Sequence, residues 1–243
     1  MNRILEKLKN KQNDIFGKPP VTVAFLGDSV THGCFEIYKT GKNGLETVFD
    51  YENSYPKKFE KIIKTLYGKA QINIINAGAS GGTAEDGLSR LDRDALRFSP
   101  DLVVVCFALN DSGRGGEYIE TYTKSLKTIF CKVIKSGALC IFLTPNMMNT
   151  YTPYNDDPFF TNLADGIAEI QNGGMLKKYV EAAKAVAFEN GVTVCDCYKK
   201  WETMLAAGVD TTALLANNVN HPKRDMNWLF AYSLAETLFS MEG

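Results

Sequence analysis

Short apolar runs alternate with longer amphipathic stretches along the whole of this 243-residue chain. The runs fall at residues 21–26, 72–75, 102–107, 138–143 and 192–195. They are rich in Val and Ile and continuous rather than alternating, the pattern of strands covered on both faces. Between them, residues 55–67, 83–97, 117–136 and 174–190 carry apolar side chains at helical spacing. In one stretch Ile119, Tyr122, Leu126, Ile129, Phe130 and Val133 follow the 3.6-residue period. In another, Leu176, Tyr179, Val180, Ala183, Ala187 and Phe188 mark a single face. Gly137 and Gly191 stand where helix C-caps belong. Strands alternating with helices predict a parallel sheet with right-handed crossovers. The fold class is therefore α/β: a three-layer α/β/α sandwich whose doubly wound sheet has about five parallel strands.

No repeat, low-complexity tract or linker divides the chain, so residues 1–243 are expected to form a single domain. Within residues 1–19, Ile4, Leu5 and Leu8 sit at helical spacing, which predicts a short N-terminal helical extension packed on that domain. Residues 146–172, rich in Pro, Tyr, Asn and Asp, read as a long irregular loop, a feature that is usually functional or mobile. A second polar stretch covers residues 210–220, and a final helix is expected over residues 223–241.

Lys and Arg number 27 against 28 Asp and Glu, a net charge of -1. No global field draws such a chain to nucleic acid or to an anionic membrane, and no apolar run is long enough to span a bilayer. The N-terminus lacks the uninterrupted apolar stretch of a secretory signal, which implies a cytoplasmic protein. The six cysteines form no CxxC pair and are then expected to be reduced thiols. No His/Cys/Asp cluster has zinc spacing. The Gly-rich run 78–83 lacks both the Lys-Ser/Thr ending of a phosphate loop and the dinucleotide pattern. Neither metal nor cofactor is implied.

In an open parallel sheet, ligands bind beyond the carboxyl ends of the strands. The first apolar run leads into Gly27-Asp28-Ser29, the second into Asn76-Ala77-Gly78, the third into Ala108-Leu109-Asn110-Asp111 and the fourth into Thr144-Pro145-Asn146. Small and polar residues thus gather at one sheet edge. A nucleophilic serine there needs a base, and the chain has only two histidines, His32 and His221. His32 follows Ser29 by three residues, an arrangement that seldom leaves the serine open to substrate. His221 lies in a Pro- and Asn-rich stretch before the last helix, free to reach over the sheet edge.

These four blocks, Gly27-Asp28-Ser29, Gly78, Asn110-Asp111 and His221-Pro222, resemble in order and placement those of the SGNH/GDSL hydrolases, which have a flavodoxin-like sheet. The resemblance runs from about residue 20 to the end of the chain. It implies a serine esterase or acylhydrolase that forms an acyl-enzyme at Ser29, with His221 as base. The oxyanion donors would be the backbone N–H groups of Ser29 and Gly78 and the side-chain amide of Asn110. Asp28 would brace the turn and take no part in the chemistry. Two positions depart from the family pattern. Ala108 replaces a glycine, adding one methyl near the oxyanion hole. More consequentially, Asn218 stands where the triad carboxylate belongs. Three accounts follow. Asn218 or its carbonyl orients a Ser–His dyad, another carboxylate such as Asp225 or Asp196 substitutes, or the protein is a carbohydrate-binding pseudoenzyme. Retention of nucleophile, base and oxyanion positions favours an active enzyme.

Arg114, Asn146 and Tyr151 are candidate substrate-binding residues, with Phe35, Tyr38, Tyr154 and Trp228 as further aromatic lining. Aromatic faces beside amides suit a sugar, and the resemblance implies a small-molecule or glycan ester as substrate, a carbohydrate O-acetyl group in particular, with lipase, thioesterase and arylesterase activities also found on that scaffold.

Overall fold

In the computed structural model, which describes residues 2–41 and 44–241, the five apolar runs form one parallel sheet. The elements run in chain order as α1 (Arg3–Asn13), β1 (Val21–Gly27), α2 (Ser29–His32), β2 (Cys34–Thr40), β3 (Gly44–Phe49), α3 (Tyr55–Leu66), β4 (Ile72–Gly78), α4 (Ala84–Asp94), β5 (Leu102–Cys106), α5 (Leu109–Ser112), α6 (Ile119–Lys135), β6 (Leu139–Leu143), α7 (Pro158–Asn172), α8 (Met175–Glu189), β7 (Thr193–Cys195), α9 (Cys197–Ala206) and α10 (Asn227–Ser240). Sheet order is β4-β1-β5-β6-β7, every neighbouring pair parallel. β4 lies on one side of β1, and β5, β6 and β7 follow on the other. Winding therefore reverses at β1, and a crevice opens at its carboxyl end.

The central strand β5 is buried at all of its positions, as its unbroken apolar run requires. Helices α4, α6 and α8 pack side by side as one layer, and α3 packs on α10 in the other. The buried face of α6 is Tyr122, Leu126, Ile129, Phe130 and Val133, and that of α8 is Leu176, Tyr179, Val180, Ala183 and Ala187. Phe188, assigned to the same stripe by spacing, is instead 86% exposed. Helix α1 buries Ile4, Leu5 and Leu8 in the main core. Asn2 caps it by accepting from the N–H groups of Ile4 and Leu5, and donates its own amide to Leu238 O at 2.5 Å.

Two elements depart from the expectation. Residues 146–172 are not irregular throughout, because their second half is α7. Its start is set by Asp157, whose side chain accepts from Phe159 N, and by Pro158 in the first turn. Between α2 and α3 the chain forms an antiparallel hairpin, β2–β3, outside the main sheet. Both additions stand over the carboxyl edge of β1.

Candidate active site

The turn that carries Ser29 is built by Asp28. Its Oδ1 accepts from Val30 N at 3.0 Å and its carbonyl accepts from His32 N at 2.9 Å, so the chain leaves β1 and enters α2 within one residue. Ser29 begins that helix, and its N–H is one of those a helix start leaves without an intrahelical partner. Below the turn, buried Arg90 donates to Gly27 O at 2.7 Å and to Ala77 O at 2.5 Å, holding the ends of β1 and β4 together. No motif pointed to Arg90. The apolar face of α4 that carries it inward was the only available signal.

His221 reaches the same point from the far end of the chain. Its Nε2 lies 2.9 Å from Ser29 Oγ, and its Nδ1 lies 2.8 Å from the carbonyl oxygen of Phe35. A carbonyl can only accept, so Nδ1 carries the ring proton and Nε2 presents its lone pair to the serine hydroxyl. The ring is buried, and burial pulls its pKa below the ordinary 6.5. The Phe35 carbonyl and the charge of Glu36 oppose that shift. His32 takes no part in this pairing; its ring packs on Phe49 at 4.7 Å.

The loop that presents His221 is organised by asparagines. Asn217 Oδ1 accepts from the backbone N–H groups of Val219, Asn220 and His221 at 3.1, 2.9 and 2.9 Å. Asn218 occupies the left-handed region at φ 58°, which asparagine tolerates better than most residues. The geometry corrects the expectation that Asn218 orients the imidazole: Nδ1 is held by Phe35 O, and Asn218 is a turn residue. Nor does Asp196 stand in, since it caps α9 through Lys199 N and pairs with Lys184 at 2.8 Å.

Phe35 O is in turn fixed by its surroundings. The following residue, Glu36, accepts two bonds from Arg224 at 2.6 and 3.1 Å, and Arg224 Nε donates to Asp50 at 2.7 Å. The guanidinium lies 4.4 Å from the centre of the Phe35 ring. Arg224, three residues beyond His221, thus ties the base of the hairpin to the loop that carries the histidine.

A cavity of about 390 Å³ opens on Ser29 and His221, and Ser80, Gly81 and Asn110 also line it. Gly78 does not. Its N–H donates to Asn76 Oδ1 at 2.9 Å, and a Cβ there would lie 2.3 Å from His32 N. Gly78 is a glycine because α2 crosses directly over it. The glycine of that run which reaches the cavity is Gly81, at φ 75°. Spacing alone could not separate the two glycines; the positive φ does. Asn110 lines the cavity, with one amide hydrogen donated to Gly82 O at 2.9 Å, which steadies the Gly81 turn. Asp111 Oδ1 accepts from Ala84 N at 2.9 Å and pins the start of α4. Ala108 is buried, with φ 151° and ψ -26°, so a side chain at this position costs backbone strain rather than space in the cavity.

The three expected substrate-binding residues are not in this cavity. Arg114 lies over the Tyr118 ring at 4.8 Å, and Tyr151 donates to Asp210 at 2.7 Å on the surface. Asn146 is fully buried and donates to Asn220 O at 2.8 Å, a support for the His221 loop. Trp228 packs instead with Tyr232 and under Lys58. The cavity walls come from elements that periodicity did not reveal: Ile37, Leu45 and Phe49 of the hairpin, and Leu163 and Ile167 of α7. Among the described residues no group of three or more metal-ligating side chains occurs, and no helix is long and apolar enough to cross a membrane.

Comparison with known proteins agrees with the fold. An acetylxylan esterase of Geobacillus stearothermophilus is 23% identical over 130 residues, which cover 50% of this chain and 58% of that relative's length. A lipase/acylhydrolase from Enterococcus faecalis shares 21% identity and superposes with a TM-score of 0.66 over 90% of this chain and 95% of its own. An acetyl xylan esterase, AlAXEase, gives 21% identity and a TM-score of 0.67 over 90% and 100%. At such identities these structures show a shared fold. The GDSL-like Lipase/Acylhydrolase family matches residues 25–229, nearly the whole domain and every strand end described above. The chain belongs to that family and is a carboxylic ester hydrolase.

Proposed function

We propose that the enzyme cleaves its ester through an acyl-enzyme on Ser29, with His221 as general base and then general acid. The observation that carries this reading is the relay from Ser29 Oγ to His221 Nε2 and from Nδ1 to Phe35 O. The serine proton passes to Nε2 as Oγ attacks the ester carbonyl carbon. The negative charge then on the carbonyl oxygen is met by the N–H groups of Ser29 and Gly81 and by the Asn110 amide. Collapse expels the alcohol, which takes the proton from Nε2. Water, deprotonated by the same nitrogen, attacks the acyl-enzyme, and the acid leaves as Ser29 Oγ takes the proton back from Nε2.

The absent carboxylate does not disable this sequence. In the serine-protease case, replacing the triad Asp by Asn costs about 10⁴ in turnover because the ring adopts the wrong tautomer. Phe35 O enforces the productive tautomer, so what is lost is only the charge that would further stabilise the imidazolium. The oriented dyad thus speaks for a catalyst and against a binding pseudoenzyme. Hydrolysis of p-nitrophenyl esters tests it: Ser29→Ala is expected to lower kcat by at least about 10³-fold. An organophosphonate should add covalently to Ser29, seen by mass spectrometry of the intact protein and its peptides. Equal turnover by the two proteins, with no adduct, overturns the assignment. A carbohydrate O-acetyl substrate is a second reading. It is supported by the names of two relatives, while the three side chains expected to recognise a sugar lie outside the cavity.

A further inference from the structure

The cavity beside Ser29 contains more apolar wall than an acetyl group has carbons to touch. Ile37, Leu45 and Phe49 from the hairpin, Leu163 and Ile167 from α7 and Val219 from the His221 loop all contribute. The hairpin and α7 lie outside the doubly wound core. They are joined to each other by Lys39, whose Nζ lies 2.7 Å from Asp157 Oδ2 and 5.0 Å from the centre of the Phe159 ring. Leu45 and Phe49 remain 44% and 52% exposed, so folding leaves apolar surface in water. Isolated exposed apolar residues are ordinary, but these converge on one concave space of about 390 Å³ that ends at the reactive serine. The polar groups of that space come from the strand-end loops and the His221 loop, where the ester itself must sit, and from Glu46 and Thr47 of β3. Among the described residues Glu46 is the only carboxylate in the lining, and its charge disfavours an acidic substituent in the same space.

We infer that the cleft between the hairpin and α7 binds an aliphatic chain of the ester several carbons longer than acetyl, so that neutral short- to medium-chain esters are the substrates. This assignment rests on Ser29 being the nucleophile. The chain belongs to the acyl or to the alcohol half, and two substrate series separate these cases. In one, p-nitrophenyl acetate, butyrate, hexanoate and octanoate vary the acyl half. In the other, ethyl, butyl and hexyl acetate vary the alcohol half.

In one of the two series kcat/KM is expected to rise roughly fourfold per added methylene until the cleft is filled. The double variant Leu45→Ser, Leu163→Ser, at positions not fully buried, should lower the ratio of the longest to the shortest member at least tenfold. A separate measurement does not depend on turnover. Calorimetry should show saturable binding of 1-octanol to the Ser29→Ala protein and its loss in the double variant on that background. Both series falling from their shortest member, or no octanol binding, overturns the inference. Octanol binding without any ester hydrolysis keeps the cleft and removes the nucleophile assignment instead.

Discussion

At the scale of single residues, the balance that matters is how His221 is held neutral yet able to accept a proton. Burial disfavours the imidazolium, and the acceptor at Nδ1 is a neutral carbonyl, which returns less of that loss than a carboxylate would. The pKa therefore lies below 6.5, and the imidazole stays neutral, the form the proposed mechanism uses, to a pH lower than an ordinary histidine allows. The acid limb of kcat/KM against pH should have its midpoint below 6.5, and a midpoint above that value would mean that burial does not dominate the ring's titration. Ser29 and His221 were legible in the sequence because one follows an apolar strand directly and the other is one of only two histidines. Phe35 was not legible in this role: a backbone carbonyl leaves no side-chain signature, and any residue can supply one. Gly81 was hidden by its neighbour, since Gly78 and Gly81 differ only in dihedral angle and in what crosses above them.

At the scale of elements, the hairpin performs two tasks, walling the cavity with one part and orienting the His221 ring with Phe35 O. Arg224 connects them through Glu36 and Asp50. Replacing Arg224 with Gln removes the fork that holds both carboxylates and frees the Phe35 carbonyl to move. A displacement of about 1 Å in such a group can cost up to about 10²-fold, so kcat is expected to fall about 10- to 100-fold. Measured at pH 8, where His221 is neutral in both proteins, this loss is not a titration effect. Arg224→Lys, which keeps the charge without the fork, should recover only part of it. Unchanged kcat in Arg224→Gln would show that the hairpin holds its place without this contact. The five strands and the helices between them were readable because continuous apolar runs and 3.6-residue stripes are strong signals. The hairpin was not, since its residues are largely exposed and pack on no opposing sheet. Helix α7 was masked by the Pro-, Asn- and Asp-rich stretch before it. Asp157-Pro158 did carry a helix-start signature there.

At the scale of the whole molecule, reversal of winding at β1 gathers the reactive groups at one sheet edge, and it also buries two carboxyl groups beneath them. The strand order β4-β1-β5-β6-β7 could not be read from apolar runs alone, and a net charge of -1 says nothing of where charges lie. Asp28 braces the Ser29 turn and Asp111 pins α4, and each leaves Oδ2 buried without a partner among the described residues. Burial is the largest cause that pushes both up to about 7, and the charge of Asp111 adds to the shift on Asp28. A carboxyl group whose folded pKa exceeds its unfolded value of 3.8 favours the fold while protonated. That contribution is whole below about pH 4 and is lost as pH rises through 7. Asp111→Asn keeps an oxygen for Ala84 N but cannot ionise, so it escapes the loss. The thermal midpoint of this variant relative to the parent should therefore climb between pH 4 and pH 8, by several degrees. The shift from 3.8 to about 7 corresponds at most to about 4 kcal/mol. A difference that stays flat or declines over that interval would mean that Asp111 is ionised throughout, and that the fold supplies a compensating charge at the heart of its active edge.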